Sequence, residues 1–270
     1  MTHTTNSDLS TLLLSSDAED IHILIDHITD KGEGRISLSS DSCAQLIHAK
    51  NSNKISPEDV ALIVTELRMF GGNTIFNLFR GGNGVPYKEI LCDVADHLKV
   101  NYNNKSDCAT IEMAVLLKVL EQSIEKMTDQ EREKLFETLG GSFTGTGPLM
   151  MASLQAAIRA SGFAAYKLAA VVAQATAKAI LGRGLAFTTT APLMRGISVF
   201  AGPIGWAVTG IWTAFDLASP AYRVTVPCIV QIAYMRQKLL SESAEMHCPK
   251  CHAPATKGTK FCGECGNSLS

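Results

Sequence analysis

Four cysteines near the end of the chain have the residue type and spacing of a metal site. Cys248 and Cys251 form one CxxC pair, and Cys262 and Cys265 form a second pair after ten intervening residues. Each pair can place two thiolates on one turn, and four thiolates suit the tetrahedral coordination of Zn²⁺. Because four cysteine ligands leave no open coordination position, the sequence predicts one structural Zn²⁺ and not a catalytic one.

Two other interpretations of this segment stay open. A CxxC pair can act as a redox dithiol, although that chemistry goes with a βαβ pattern, which the sequence around these cysteines lacks. His247 and His252 flank the first pair and could replace a thiolate as ligand. We predict a zinc ribbon over residues 246–270. Since residues 241–270 carry zero net charge, this ribbon should dock a protein partner and not nucleic acid.

Charge divides the rest of the chain into two regions. Residues 1–147 carry 13 Lys and Arg against 22 Asp and Glu, a net charge of −9, whereas residues 148–240 carry eight cations and one acid, a net charge of +7. The whole 270-residue chain has a net charge of −2, which excludes a strongly basic nucleic-acid binder. A hydrophobic fraction of 46 % excludes global disorder. We therefore predict three units: residues 1–147, 148–240 and 246–270.

Helix start and stop signals are frequent in the acidic region. Ser56–Asp59 combines an N-cap residue with Pro at the first helical position. Thr128 and Glu131 have the spacing of a capping box. Asp17 precedes an apolar repeat of helical spacing that should end near Asp30. Residues 1–147 are predicted to form an all-α domain, so the predicted fold class of the chain is mainly α.

No pattern of catalytic residues accompanies these elements. An enzyme would have to assemble a site from residues without a motif, such as His97 with Asp93 or Asp96. The glycine-rich stretches at 71–72 and 81–84 do not match a phosphate-binding loop. We therefore predict a non-enzymatic protein with no catalytic residues.

The cationic region combines positive charge with long apolar stretches. Its first long helix is predicted to carry its cations on one stripe, and Gly196–Phe215 runs for twenty residues without a charge, which is the length that spans a bilayer as a helix. Cations attract anionic lipid headgroups, and tryptophan suits the membrane interface. The residues predicted to contact a membrane or lipid are Arg159, Lys167, Lys178, Trp206, Trp212 and Arg223.

A second interpretation places residues 148–240 inside a soluble fold. Gly202-Pro203 would kink a single span. The N-terminus lacks the basic and apolar segments of a secretory signal, so the acidic region and the thiolates should both lie in a reducing cytosol. An even number of crossings would then be needed, which favours a helical hairpin over one transmembrane helix. The same apolar hairpin could instead be the core of a soluble protein.

Five segments of the chain have the sequence pattern of a known family, and they are Ser7–Leu9, Glu33–Ser40, Leu67–Asn73, Tyr87–Val94 and, most specifically, Ser219–Pro227. They resemble the uncharacterised bacterial YaaW family. The resemblance runs from about residue 7 to residue 240, and the cysteine-rich tail lies outside it. Some family members carry a label that links them to ubiquinol–cytochrome c chaperones. The resemblance implies a helical architecture and no established activity, and it places a chaperone-like role beside the membrane one.

Taken together, these patterns predict a non-enzymatic, membrane-associating helical protein with a zinc-ribbon docking module, which could insert into the membrane conditionally. Its partners should be anionic lipid and a protein bound by the ribbon, with no specific nucleic acid, and an oligomer is compatible with the sequence. The expected location is cytoplasmic, peripheral or hairpin-inserted at the inner face of the cytoplasmic membrane. The alternative is a soluble chaperone-like protein-binding module with residues 148–240 as its core.

Overall fold

The computed structural model describes residues 3–35, 38–71, 84–139, 151–156, 162–185, 202–205 and 222–247, and in the tail residues 250, 254–256, 260–262 and 265–269. Within these residues, the main elements are nine helices and two short strands. They are α1 His3–Leu14, α2 Ala18–Thr29, α3 Ser40–Ser52, α4 Pro57–Gly71, α5 Tyr87–His97, α6 Cys108–Ile124, α7 Asp129–Leu139, α8 Gly162–Leu181, α9 Tyr222–Ala244, β1 Glu245–His247 and β2 Pro254–Thr256. The predicted mainly helical fold class is confirmed.

Capping side chains fix several helix starts where the sequence predicts them. Thr128 and Glu131 form the predicted capping box at the start of α7, with the Thr128 amide donating to the Glu131 carboxylate over 2.8 Å and the Glu131 amide donating to the Thr128 hydroxyl over 3.3 Å. Ser56 and Asp59 make the same reciprocal pair at α4, over 3.0 and 3.1 Å. These bonds satisfy amides that the first helical turn leaves without a partner.

Asp17 is an exception among the predicted caps. It occupies the N-cap position of α2, but its side chain makes no capping hydrogen bond. The carboxylate instead forms an ion pair with Lys238 of α9. α2 ends with Asp30 in the left-handed conformation, at φ 54°, which is where the sequence places the end of this helix. Tertiary pairing therefore replaces local capping at Asp17.

Helices of the acidic and the cationic region share one hydrophobic core. α9 packs against α8 and also against α2, α4, α5 and α6 of the acidic region. Leu13, Ile25, Ile63, Tyr87 and Tyr234 are among the largest fully buried side chains of this core. The predicted boundary at residue 147 lies outside the described residues and stays a prediction.

α8 is surrounded by other parts of the protein along most of its length. Each residue from Leu168 to Ala173 is at most 1 % exposed. Within the described ranges, the stretch Phe163–Leu181 is one helix whose length and composition would let it cross a membrane, and 72 % of its apolar window is buried inside the protein. The core helix of a soluble protein meets the same criterion. The predicted span Gly196–Phe215 lies outside the described residues except at 202–205, where Ile204 is fully buried.

A buried charge and a buried imidazole lie side by side on α2. Asp26 is 1 % exposed and forms ion pairs with Lys50 of α3 and with Arg183, which follows α8. The neighbouring His27 is buried, and its Nδ1 has no hydrogen-bond partner among the residues that the structure describes. Burial lowers the pKa of His27 to about 3, although the charge of Asp26 acts in the opposite direction.

This environment predicts that acid weakens the fold through His27. Below the ordinary pKa near 6.5, the unfolded chain binds a proton on this imidazole while the folded chain does not. Stability is therefore complete above that value and falls with decreasing pH, by about 2 kcal/mol between pH 7 and pH 5 from this residue. Urea unfolding measures the fall in the free energy of unfolding from pH 7 to pH 5. This fall should be about 2 kcal/mol smaller in His27→Gln than in the wild type.

His48→Gln is the matched control, because His48 is exposed on the neighbouring helix α3. The control should lose as much stability between the two pH values as the wild type does. A His27→Gln variant with the pH dependence of the wild type would contradict the assignment of a neutral, buried imidazole.

Candidate functional site

A buried ion pair joins α6 of the acidic region to α9 of the cationic region. Arg236 donates to both carboxylate oxygens of Glu112, from Nε over 2.7 Å and from Nη2 over 3.2 Å. The Glu112 side chain is 1 % exposed and that of Arg236 is 11 % exposed. The hydroxyl of Tyr87 on α5 donates to the same carboxylate over 2.7 Å, and Asp8 on α1 pairs with the guanidinium over 3.1 Å. One cluster therefore ties four helices together.

Burial and ion pairing act in opposite directions on the pKa values of Glu112 and Arg236. Burial raises the pKa of Glu112, whereas the charge of Arg236 and the hydrogen bonds from Arg236 and Tyr87 oppose that rise. Burial also disfavours the charge of Arg236, but Glu112 outweighs this effect and the pKa of Arg236 lies above its ordinary value. A two-pronged guanidinium–carboxylate contact of this kind is geometrically specific as well as strong.

A second set of contacts holds the opposite face of α9 against α2. Lys238 pairs with Asp20 over 2.8 Å and also with Asp17. Two turns earlier, Gln231 donates to the backbone carbonyl of Asp20 over 3.0 Å. With Arg183 on Asp26, at least three of the eight cations in residues 148–240 bind acids of residues 1–147. The opposite charges of the two regions are thus partly used within the molecule.

The residues predicted to contact a membrane are only partly described. Lys167 is half-buried, and its Nζ lies 4.9 Å from the centre of the Phe163 ring on the preceding turn. Lys178 and Arg223 are exposed. Arg159, Trp206 and Trp212 lie outside the described residues, so the predicted stripe of three cations stays a prediction.

The residues considered for an enzyme are engaged in other contacts. The His97 ring stacks on Tyr222, with ring centres 3.9 Å apart, and burial lowers the pKa of His97. Asp96 accepts a hydrogen bond from the Tyr102 hydroxyl over 3.0 Å. This arrangement joins the end of α5 to the start of α9 and to the loop that follows α5.

A groove lies beside the Glu112–Arg236 cluster, between α6, α8, α9 and the loop that precedes α6. Its volume is about 600 Å³. Half-buried side chains of α6, namely Ala109, Met113 and Leu117, form an apolar floor. Four amide side chains also line the groove, and these are Asn101, Asn103, Gln155 and Gln237. This cavity lies within the size range of ligand sites, which is roughly 300–1,000 Å³.

The cysteine-rich tail contains two short antiparallel pairings. β1 pairs with β2 from Glu245 opposite Thr256 to His247 opposite Pro254, so this hairpin brackets Cys248 and Cys251 in the sequence. An isolated bridge between Phe261 and Ser268 brackets Cys262 and Cys265 in the same way. Each CxxC pair therefore lies between two paired backbone segments.

Two of the four predicted zinc ligands are described. The Cys262 residue is 4 % exposed, Cys265 is exposed, and Gly266 follows with a φ of 67°, a conformation that favours glycine. The Gly266 amide donates to the Cys262 carbonyl over 2.9 Å, which closes a tight turn around the second pair. Cys248 and Cys251 lie outside the described residues, and among those described no group of three or more potential metal ligands occurs.

Neither the cluster at Glu112 nor the groove is predicted by a sequence pattern. The available signal was an acid in the apolar face of α6, since Glu112 stands between Ile111 and Val115, both fully buried. Arg236 likewise follows the uncharged, largely apolar stretch Ile232–Met235. A charge at such a position predicts a buried partner but does not identify it.

Comparison with known proteins places the helical body in a family. The family model described as ubiquinol-cytochrome C chaperone matches residues 61–230, which end before the cysteine-rich tail. A UPF0174 protein of Helicobacter pylori strain J99 is 47 % identical over 180 residues, which are 65 % of this chain and 70 % of that protein. A second UPF0174 protein of the same strain is 42 % identical over 186 residues, which are 67 % of this chain and 88 % of that protein.

A more distant relative gives the same assignment. The UPF0174 protein YaaW of Escherichia coli K12 is 30 % identical over 179 residues, which are 65 % of this chain and 70 % of that protein. No solved structure matches the chain. The family resemblance inferred from the sequence is therefore confirmed for the helical body: the chain belongs to the UPF0174 (YaaW) family, within the ubiquinol-cytochrome C chaperone family model.

Proposed function

We propose that this protein is a non-enzymatic, chaperone-like protein-binding module in which the apolar helices α8 and α9 form the core of the helical body. The observation that carries the proposal is the burial of α8, whose residues Leu168–Ala173 are at most 1 % exposed. The description of the matching family as a chaperone supports a role in binding another protein. A helical body whose described apolar helices are buried against each other can present its remaining surface to such a partner.

The same contacts weigh against the membrane-associating function that the charge pattern favours. Arg183, Arg236 and Lys238 pair with acids of the same chain and are not available to lipid headgroups. Lys178 and Arg223 are exposed, so an attraction to anionic lipid would depend on a smaller set of cations. We therefore rank membrane association second and propose a cytoplasmic location, which also suits the reduced cysteines of the tail.

Identical substitutions at a buried and an exposed alanine of α8 test the proposed core. Ala170→Asp places an unpaired carboxylate at a fully buried position, and in the absence of detergent it should destabilise the fold by more than about 4 kcal/mol. Ala179→Asp changes an exposed position of the same helix, and near the helix end it should cost less than about 1 kcal/mol. Chemical unfolding followed by far-UV circular dichroism measures both. Similar effects at the two sites would show that α8 is not a core helix.

A direct assay of the proposed activity uses the full chain and a chemically unfolded client protein diluted from denaturant. The wild type and Ala179→Asp should slow aggregation of the client, and Ala170→Asp should not, because its binding surface is no longer held in place. Flotation with anionic vesicles at low salt is the second arm. Unchanged client aggregation together with co-flotation would favour the membrane function instead.

We also propose that Cys248, Cys251, Cys262 and Cys265 bind one structural Zn²⁺ in a ribbon that docks a protein partner. Two observations support this proposal: each CxxC pair lies between paired backbone segments, and Cys262 is buried in a turn closed by Gly266. A segment of this size cannot bury a core of its own, so metal binding would supply its folding free energy.

Metal analysis of protein purified under reducing conditions tests the zinc proposal. The wild type should contain one zinc per chain, and Cys262→Ser should lose it, because structural zinc sites of this kind depend on all four thiolates. Cys43→Ser, which changes a half-buried cysteine of the helical body, is the matched control and should keep its zinc. A wild type without zinc, or a Cys262→Ser variant with a full equivalent, would refute the site.

A further inference from the structure

We propose that Lys50 and Arg183, with His22 beside them, form a binding site for the phosphate group of a small soluble molecule. The site lies around the buried carboxylate of Asp26, where α2, α3 and the loop that follows α8 meet. The inference goes beyond the proposed chaperone-like function and does not depend on it. It is carried by an excess of positive charge around one carboxylate, by a loop that fixes Arg183, and by an imidazole nitrogen without a partner.

Two cations share a single acid in this cluster. Lys50 binds one carboxylate oxygen of Asp26, and Arg183 binds the other. The side chain of Asp26 is 1 % exposed, whereas those of Lys50 and Arg183 are 24 % and 45 % exposed. The three groups therefore carry a net charge of +1, and the charge that reaches solvent is positive. A phosphate can approach the two cations from the solvent side while Asp26 holds them in place.

Each cation keeps hydrogen-bond donors for such a ligand. A guanidinium has five N–H donors and an ammonium has three. Arg183 donates to Asp26 from Nη2 and Lys50 donates from Nζ, and neither makes another hydrogen bond with the residues that the structure describes. The remaining N–H groups of Arg183 lie in a planar fork that matches two oxygens of a phosphate, and the Lys50 ammonium can bind a third oxygen.

The loop after α8 holds Arg183 in position. Gly182 has a φ of 72°, which favours glycine, and the Leu185 amide donates to the side-chain oxygen of Gln174 over 2.6 Å. Gly184 lies so close to Gln174 that a Cβ atom there would be 2.2 Å from the amide nitrogen of that side chain. The chain therefore folds back on α8, and Arg183 in this turn needs little further ordering when it binds a ligand.

The imidazole of His22 lies one turn before Asp26 on α2, on the same face of the helix. Its Nε2 is buried and has no hydrogen-bond partner in the described part of the chain. Burial lowers the pKa of His22 most, and Lys50 and Arg183 lower it further. The acids Asp26 and Glu19 raise this pKa, but each acts less strongly than either cation. The imidazole therefore lies in a positive potential, which an anion bound to the two cations would offset.

These features favour a soluble phosphate over other anions. A bound dianion would raise the pKa of His22, and the protonated imidazole would bring the positive charge of the site to the magnitude that the ligand carries. A single-atom anion such as chloride cannot offer two separate acceptors to the fork of Arg183. Both cations are held back by Asp26, so a small phosphate reaches them more readily than the headgroups of a flat bilayer do.

Proton NMR of the histidine Cε1–H resonances tests the site in the full chain. The probe is sodium phosphate, which replaces sodium chloride at constant ionic strength. The His22 resonance should shift until the site is saturated, and the pKa of His22 should be higher with phosphate than without it. His97 is the internal reference, because burial alone lowers its pKa. A His22 resonance that moves no more than that of His97 would overturn the proposal.

Variants of Arg183 separate phosphate binding from the ion pair. Arg183→Lys keeps a cation for Asp26 but loses the planar fork, so binding should weaken about three- to tenfold. Arg183→Gln should weaken it at least about tenfold. Arg132→Gln is the matched control, since Arg132 is also a partly exposed cation paired with an acid, and it should bind like the wild type. Equal binding by Arg183→Gln would overturn the site. If far-UV circular dichroism shows that Arg183→Gln does not fold, Arg183→Lys decides in its place.

Substitution of the shared acid gives the opposite expectation. Asp26→Asn removes the negative charge that competes with the ligand for both cations, so phosphate should bind about three- to tenfold more tightly. A cluster with a purely structural role would show no such gain. Equal or weaker binding by a folded Asp26→Asn variant would contradict the proposal, and the Arg183 variants carry the test if this variant does not fold.

Vesicles distinguish the source of the phosphate group. Phosphatidic acid in phosphatidylcholine vesicles presents a phosphomonoester at a membrane surface. The wild type should bind inorganic phosphate without floating with these vesicles. Co-flotation that is lost in Arg183→Gln would overturn the soluble source, and co-flotation without binding of inorganic phosphate would overturn the site itself.

Discussion

The buried ion pair between Glu112 and Arg236 is the interaction on which the rest of the structure depends. Both groups lie where water is largely excluded, so the loss of either one would leave the other as a buried charge without compensation. The pair also fixes a register, because the planar guanidinium must meet the carboxylate with both oxygens while Tyr87 and Asp8 contact the same two groups. These contacts hold α1, α5, α6 and α9 together, and the groove between α6, α8 and α9 lies beside them.

This internal pairing changes the meaning of the charge distribution. Residues 1–147 have a net charge of −9 and residues 148–240 a net charge of +7. Considered separately, these charges suggest two surfaces that bind other molecules. In the structure, Arg183, Arg236 and Lys238 instead bring α8 and α9 against the acidic helices. Among the described residues, Phe163–Leu181 is long and apolar enough to cross a membrane, and 72 % of its apolar window is buried inside this helical body.

Local patterns in the sequence predict the parts of the fold that are locally determined. The capping box at Thr128 and Glu131 forms as expected, because its partners are three residues apart. Asp17 has the residue type of a cap, but it binds Lys238, which is 221 residues away. Glu112 and Arg236 are separated by 124 residues. No spacing rule connects such positions, so the sequence indicates that they need partners but cannot identify them.

The groove shows the same limit, since Met113 and Gln237 come to line one cavity only when α6 and α9 pack together. The cysteines are the opposite case. Their spacing alone predicts a zinc site, because all four cysteines fall within 18 residues and the geometry of a thiolate site restricts how its ligands are spaced. That site stays a prediction, since Cys248 and Cys251 lie outside the described residues.

A double-mutant cycle on Glu112 and Arg236 tests most directly whether the acidic and cationic regions form one core. Arg236→Met alone should cost about 3–5 kcal/mol, because it leaves a buried carboxylate without its cation. In a Glu112→Gln background, which keeps an acceptor for Tyr87, the same change should cost at least about 2 kcal/mol less. The partly exposed pair Lys118–Glu121 within α6 is the control, with an expected coupling below about 0.5 kcal/mol. The losses in unfolding free energy of Glu112→Gln and Arg236→Met could instead add up to the loss of the double variant within about 0.5 kcal/mol. That result would contradict the buried pair and, with it, the shared core.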